Sequence, residues 1–179
     1  VTGVQTCALP ICYSLGAGLS GNVVASSGSI TLVGDNSIAT ADGLNIGGLT
    51  LGSNAGTNVT SSSSNITLKG NQFGLNNAAT INTTGTVSLY SLDASNSFGS
   101  AQTFGLNWVF GSNVSGLTIG KSTNTADVTL GGATSIAGPI NVYGGNINIG
   151  ANLTSTATTG NGIALYATKN INSTATSLT

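Results

Sequence analysis

The chain has 179 residues and almost no charge, with three Lys or Arg residues against four Asp or Glu residues and a formal net charge of −1. It contains no histidine and no methionine, whereas glycine alone contributes 27 residues. The three lysines are too few and too scattered to form a basic stripe, which argues against nucleic acid as a partner. No apolar run is long enough for a transmembrane helix, so we expect no membrane insertion.

The first eleven residues, VTGVQTCALPI, resemble the in-frame translation of a common sequencing adapter, and Cys12 is compatible with the codon that would follow. We therefore expect residues 1–12 to be a non-native, adapter-derived segment, and residues 1–11 to have no stable place in the fold. Both cysteines, Cys7 and Cys12, lie in it, so they are not interpreted as a disulfide or a metal-binding pair.

The remaining residues are mostly Gly, Ser, Thr and Asn, which favour neither helix nor a large core. Disorder is also disfavoured, because charges and prolines are few and Ile, Val and Leu recur regularly. An all-β fold of short strands and tight turns is the remaining class.

A short triad of apolar, small or polar, and apolar residues recurs along the chain. In chain order the nine triads begin at Ile30, Leu49, Ile66, Val87, Leu117, Val128, Ile140, Ile147 and Ile163. The two-residue period of a strand predicts that the outer residues of each triad point inward and the middle residue points outward.

The triad spacing predicts a parallel β-helix with coils of about 20 residues. Shorter steps late in the chain indicate two strands within one coil. We expect coils over 13–90, an aromatic-rich enlarged coil or lateral loop over 91–113, and further coils over 114–179, where the repeat is cut at the C-terminus. A β-sandwich is the alternative, although sandwiches have longer alternating strands and more aromatic residues.

From about Ser115 to Asn172 the sequence, beginning GLTIGKSTNTADVTLGG and including GGNINIG, resembles the repeat region of filamentous-haemagglutinin-like adhesins of two-partner secretion. Residues 20–90 resemble it more loosely. The resemblance implies a right-handed parallel β-helix, export through an outer-membrane transporter, and a place outside a Gram-negative cell, secreted or on its outer surface. It also implies adhesion or biofilm contacts with host or environmental glycans or surface proteins.

The ionisable residues offer no recognisable catalytic or metal-binding set. Four aspartates, Asp35, Asp42, Asp93 and Asp127, are isolated in the sequence, whereas glycosidases require paired carboxylates. The nearest pair, Asp35 and Asp42, is interpreted as two turn residues. A Ser-His-Asp triad is impossible without histidine. The segment GGNINIG at 144–150 has the glycines of a known calcium-binding repeat motif but not its aspartate. We therefore expect no enzyme activity, no metal and no cofactor.

Five of the nine aromatic residues fall between positions 90 and 110, namely Tyr90, Phe98, Phe104, Trp108 and Phe110. One hypothesis is that Phe104, Trp108 and Phe110 stack on sugar rings. The favoured hypothesis is a packing cluster, because large apolar rings usually bury themselves. Six Asn-x-Ser/Thr sequons begin at Asn58, Asn65, Asn82, Asn113, Asn152 and Asn172, and whether they are glycosylated stays open.

Taken together, these features predict the structural stalk of a secreted adhesin. Two alternatives stay open: a non-catalytic portion of a β-helix carbohydrate-active enzyme, and an ice-binding solenoid suggested by outward threonines. Clustered Asp and Arg on adjacent coils of the parent protein would favour the enzyme, and paired Thr-x-Thr ranks on a flat face would favour the ice-binding protein.

Overall fold

A computed structural model describes residues 5–7, 11–14, 21–26, 28–34, 48–51, 57–75, 78–92, 97–160 and 162–179. Within them the regular secondary structure is β-strand. The strands are β1 (Gln5–Cys7), β2 (Ile11–Ser14), β3 (Gly21–Ala25), β4 (Ile30–Gly34), β5 (Gly48–Leu51), β6 (Thr57–Ser61), β7 (Ile66–Gly70), β8 (Gln72–Leu75), β9 (Ala79–Asn82), β10 (Thr86–Tyr90), β11 (Gln102–Phe104), β12 (Trp108–Phe110), β13 (Gly116–Ile119), β14 (Val128–Leu130), β15 (Thr134–Ile136), β16 (Ile140–Gly144), β17 (Ile147–Ile149), β18 (Leu153–Ser155), β19 (Ile163–Ala167) and β20 (Ile171–Ser173).

Every described strand pairing is parallel, and each partner lies in a later repeat of the chain. The longest sheet has the order β19-β16-β13-β10-β7-β4-β2. A second has the order β1-β3-β6-β9-β12 and a third the order β11-β14-β17-β20, and two further pairs are β15-β18 and β5-β8. Consecutive strands enter different sheets, as in β6, β7 and β8, so the chain winds past the same faces repeatedly. An antiparallel sandwich does not have this pairing.

All nine triads lie inside strands, and the predicted orientation is confirmed wherever the burial of a whole triad is described, except in the half-buried β19. In β7, for example, Ile66 and Leu68 are fully buried and Thr67 is partly exposed. The same triads stack on one another: Leu68 pairs with Leu32 on one side and with Leu89 on the other. The aliphatic side chains therefore form one continuous core along the stack.

The prediction of two triad strands within one coil is also confirmed. The triad of β13 pairs with that of β16, and the triad of β14 pairs with that of β17, in two different sheets. The chain length between partners varies: 36 residues separate Asn58 from Asn22, 21 separate Thr86 from Asn65, and 19 separate Asn146 from Asp127.

The expectation that residues 1–11 have no stable place in the fold does not hold for the backbone of the described part of this segment. Strand β1 pairs with β3, and β2 pairs with β4, so both extend existing sheets. Strand pairing does not depend on where these residues come from, so the adapter-derived origin of the segment stays a prediction. In the 91–113 segment, β11 and β12 likewise pair within two sheets, which favours an enlarged coil over a detached loop.

Asparagine side chains connect successive coils. The Asn58 amide donates to the Asn22 side-chain oxygen at 2.9 Å, and Asn172 donates in the same way to Asn148 at 2.9 Å. Both pairs are in register on neighbouring strands, so these ladders run along strand faces as well as at corners. Aligned amides add hydrogen bonds between coils without requiring charge.

Candidate functional site: the aromatic cluster and the outer face

Five aromatic rings pack against each other inside the stack. The Trp108 ring lies 5.2 Å from Phe104 and 6.2 Å from Phe73, centroid to centroid, in edge-to-face arrangements. Phe98 meets Phe73 edge-on at 5.8 Å, and Phe110 stacks on Trp108 at 6.4 Å. These separations lie within the range in which aromatic pairs attract each other beyond simple burial.

Local strand alternation puts these rings inside. In β12, Trp108 and Phe110 point inward and Val109 points out, with 44% of its surface exposed. In β11, Phe104 is inward beside Gln102, whose side-chain oxygen accepts a hydrogen bond from the Phe73 backbone N–H at 2.8 Å. The sequence analysis did not place Phe73 in this cluster, because no other aromatic residue lies near it in the sequence.

The three residues considered for sugar stacking are all buried: Phe104 is 2% exposed, Trp108 5% and Phe110 8%. A sugar platform needs a ring face open to solvent, and these rings have none. They belong to the same continuous core as the aliphatic triads. The geometry therefore favours the packing cluster, built into the core rather than beside it.

Asp127 is the aspartate whose surroundings the structure describes; Asp35, Asp42 and Asp93 lie outside the described residues. Its carboxylate accepts the Asn146 backbone N–H at 2.7 Å and the Asn146 side-chain amide at 3.0 Å. Lys169 approaches to 3.9 Å. The two Asn146 hydrogen bonds, and more weakly Lys169, hold the pKa of Asp127 below its ordinary value. A carboxylate kept ionised in this way joins two coils and is a poor proton donor.

Within the described part of the chain, no group of three or more His, Cys, Asp or Glu residues could hold a metal ion. The described residues also include no helix that could span a lipid bilayer.

The six sequon asparagines all lie on the surface. Two of them, Asn58 and Asn172, donate their side-chain amides to the next coil. Asn152 accepts three hydrogen bonds, from the backbone N–H and hydroxyl of Thr176 and from the backbone N–H of Ser177. Attachment of a sugar at Asn58 or Asn172 would replace a hydrogen on the nitrogen that makes the ladder.

Tyrosine and lysine side chains form a second aromatic group, on the outer face of the longest sheet. Tyr143 and Tyr166 occupy paired positions and stack with centroids 4.6 Å apart and planes 10° apart. The Lys121 ammonium lies 4.6 Å from the Tyr90 ring centroid. Sequence analysis missed this group because its members are 22 to 76 residues apart, and only the coil register brings them together.

Comparisons of the chain with protein-family models, with curated proteins and with solved structures find no match.

Proposed function

We propose that this chain is a structural segment of a secreted adhesin on the outer surface of a Gram-negative bacterium, and that it serves as a non-catalytic rod. In this proposal the parallel sheets form a right-handed β-helix whose coils are close to 20 residues, enlarged where loops protrude. Export proceeds through an outer-membrane transporter, and the mature rod carries the contacts of adhesion or biofilm formation.

The observation that carries the proposal is the longest sheet, in which seven strands pair in parallel. In the triads of β4, β7, β10, β13 and β16 the aliphatic residues are buried and the middle residue, Thr, Ser or Asn, is partly exposed. A face of this kind can be extended by adding coils, because each new strand repeats the same pairing. The length of the rod then depends on the number of coils, and stability depends on contacts between neighbours. These are the properties that a spacer between a cell and its target requires.

The side chains of the described region support a mechanical role. Many of the side-chain hydrogen bonds that join coils come from Asn, Ser and Thr, which are neutral at every pH that a secreted protein meets. The Asp127 carboxylate adds two that it accepts from Asn146. Every described buried side-chain N and O atom has a hydrogen-bond partner, so the rod interior does not carry the unpaired polar groups that often mark a reactive site.

The proposal is tested on the complete parent protein in its native cell. Antibodies raised against residues 114–179 should label intact cells, and external protease should remove the signal. A strain that lacks the gene should lose surface attachment, and the purified parent protein should release no sugar from polysaccharide. Labelling confined to the cytoplasm would contradict the proposal. Cleavage of a polysaccharide would instead support the carbohydrate-active enzyme.

A further inference from the structure

The outer face of the longest sheet contains a slot in the middle of the stack. Leu89 pairs with Ile119, and Ile119 pairs with Val142, so the next residue on each strand occupies one row: Tyr90, Gly120 and Tyr143. The Gly120 backbone N–H donates to the Leu89 carbonyl at 2.9 Å, which continues the register past the end of β13. Two tyrosines in this row therefore flank a position without a side chain.

Gly120 cannot be replaced by a residue that would fill this position. Its φ of +74° lies in the left-handed region, which residues with a side chain rarely adopt. A Cβ atom there would lie 2.6 Å from the Tyr143 carbonyl oxygen and 3.1 Å from the Asn124 amide nitrogen. The backbone thus requires glycine at this position, and the gap in the row is a fixed feature of the fold.

The resulting groove has a volume of about 380 Å³ and is lined by Tyr90, Thr118, Gly120, Lys121, Ser122 and Tyr143. Ligand pockets begin at roughly 300 Å³, so a small ring fits. Neighbouring strands lie about 4.8 Å apart, and the flanking tyrosines, two strands apart, are therefore separated by about 9.6 Å at their backbones. That distance leaves room for one flat ring between them.

The walls of the groove differ in chemistry. Tyr166 covers the face of Tyr143 that points toward β19, so the face toward β13 remains for a ligand. On the opposite wall, Lys121 holds its ammonium over the Tyr90 ring. Among the described residues, the ion pair formed within 4 Å is that of Lys169 and Asp127. The Lys121 ammonium therefore has no carboxylate partner among those residues. Thr118 and Ser122 add hydroxyl groups, and Ser122 is exposed.

We infer that this groove is a binding subsite for a sugar ring that bears a carboxylate, such as a hexuronate within a polysaccharide. The C–H face of the pyranose lies on the open face of Tyr143. The carboxylate forms a charge-assisted hydrogen bond with the Lys121 ammonium, which the Tyr90 ring also stabilises. Thr118 and Ser122 hydrogen-bond to the ring hydroxyls. This site goes beyond the proposed stalk role and does not depend on it.

The site is tested by titrating the isotopically labelled full chain with trigalacturonate, following backbone amide signals at low ionic strength. We expect saturable shifts centred on Thr118, Lys121, Ser122 and Tyr143, with an affinity that weakens as salt is added. A neutral galactose trisaccharide should bind at least tenfold more weakly, because it lacks the group that pairs with Lys121.

Two variants and a matched control identify the contacts. Lys121→Gln and Tyr143→Leu should each weaken binding of trigalacturonate at least tenfold while the thermal midpoint stays close to that of the wild type. Lys169→Gln removes the same charge from a residue that does not line the groove, and it should leave the affinity unchanged within about twofold. The absence of saturable shifts would overturn the site. So would a neutral trisaccharide that binds the wild type as tightly as trigalacturonate does, or a Lys121→Gln variant that binds trigalacturonate as tightly as the wild type. Neither result would affect the stalk proposal, which rests on surface labelling and attachment.

Discussion

The side-chain amide of Asn124 donates a hydrogen bond of 2.7 Å to the backbone carbonyl of Tyr143, in the following coil. On its other side, the Asn124 oxygen accepts hydrogen bonds from the Phe98 backbone N–H at 3.1 Å and from the Ser97 hydroxyl at 2.7 Å. This residue is 2% exposed, so one buried side chain joins three consecutive turns of the chain. A neutral amide suits this place because it both donates and accepts.

Replacement of Asn124 by Ala should lower the free energy of unfolding by about 2–4 kcal/mol, because the substitution leaves buried backbone groups without partners. Urea denaturation measures the loss. Asn170→Ala is the matched control, since its side chain is exposed and makes a surface ladder bond to Asn146; it should cost less than about 1 kcal/mol. Equal losses for the two variants would contradict the role given to Asn124.

Trp108→Ala should lower the free energy of unfolding by about 3–5 kcal/mol through the cavity it leaves among Phe73, Phe104 and Phe110. Val109→Ala, on the outward side of the same strand, should change it by less than about 0.5 kcal/mol. Calorimetric melts of both variants measure these effects. If Trp108→Ala instead kept full stability and lost binding to a glycan array, the sugar platform would replace the packing cluster.

Leu68→Asp should prevent folding, whereas Thr67→Asp should be tolerated. Leu68 is fully buried between two other coils, and an unpaired carboxylate there costs several kcal/mol. Thr67 is the outward residue of the same triad. Circular dichroism and soluble yield distinguish the two variants, and equal disruption at both positions would show that the inward and outward faces are assigned the wrong way round.

Asp127 should make stability depend on pH in acid. Because the folded pKa lies below the ordinary value of 3.8, the ionised group stabilises the fold above the unfolded pKa, and this contribution is lost as the pH falls through the folded pKa. Asp127→Asn should therefore lower the thermal midpoint at pH 7, and its difference from the wild type should shrink below about pH 4. A difference that stays constant from pH 7 to pH 2 would exclude this linkage.

The triads could be predicted from the sequence because Ile, Leu and Val alternate with small residues, a pattern in which burial follows directly from strand geometry. The inward and outward residues of the strands between the triads could not be predicted in this way. In β6 the inward residues include Thr57 and Ser61, and in β15 Thr134 is inward, so polar side chains occupy core positions. Hydrogen bonds make this burial tolerable: the Ser61 hydroxyl donates to the Gly28 carbonyl on another coil and accepts the Ser64 backbone N–H. The Thr134 hydroxyl donates to the Gly132 carbonyl, two residues earlier in the chain.

The same limit applies to the candidate sites. The aromatic segment was visible as a local cluster of rings, but its burial required knowing that β11 and β12 enter two sheets. Tyr90 was visible in the sequence only as a member of that aromatic segment, and Lys121 and Tyr143 carry no local signal. Their separation in sequence depends on coil lengths that vary with each loop, so the group could not be predicted. Register, rather than composition, brings these side chains together.

The parallel stacking of coils is tested most directly by a disulfide across neighbouring strands. Ser88 and Thr118 are paired, outward residues on β10 and β13, 30 positions apart in the chain. In a background in which Cys7 and Cys12 are replaced by serine, the pair Ser88→Cys and Thr118→Cys should oxidise to one intramolecular bond, because paired strands lie about 4.8 Å apart.

The control pair is Ser88→Cys and Asn141→Cys, which share the same row with one strand between them. Their separation of about 9.6 Å exceeds what a disulfide spans, so this pair should stay reduced. Mass spectrometry under non-reducing conditions measures both. Rapid, complete oxidation of the first pair alone is the predicted result, and equal oxidation of the two pairs, or none in the first, would contradict the parallel coil register.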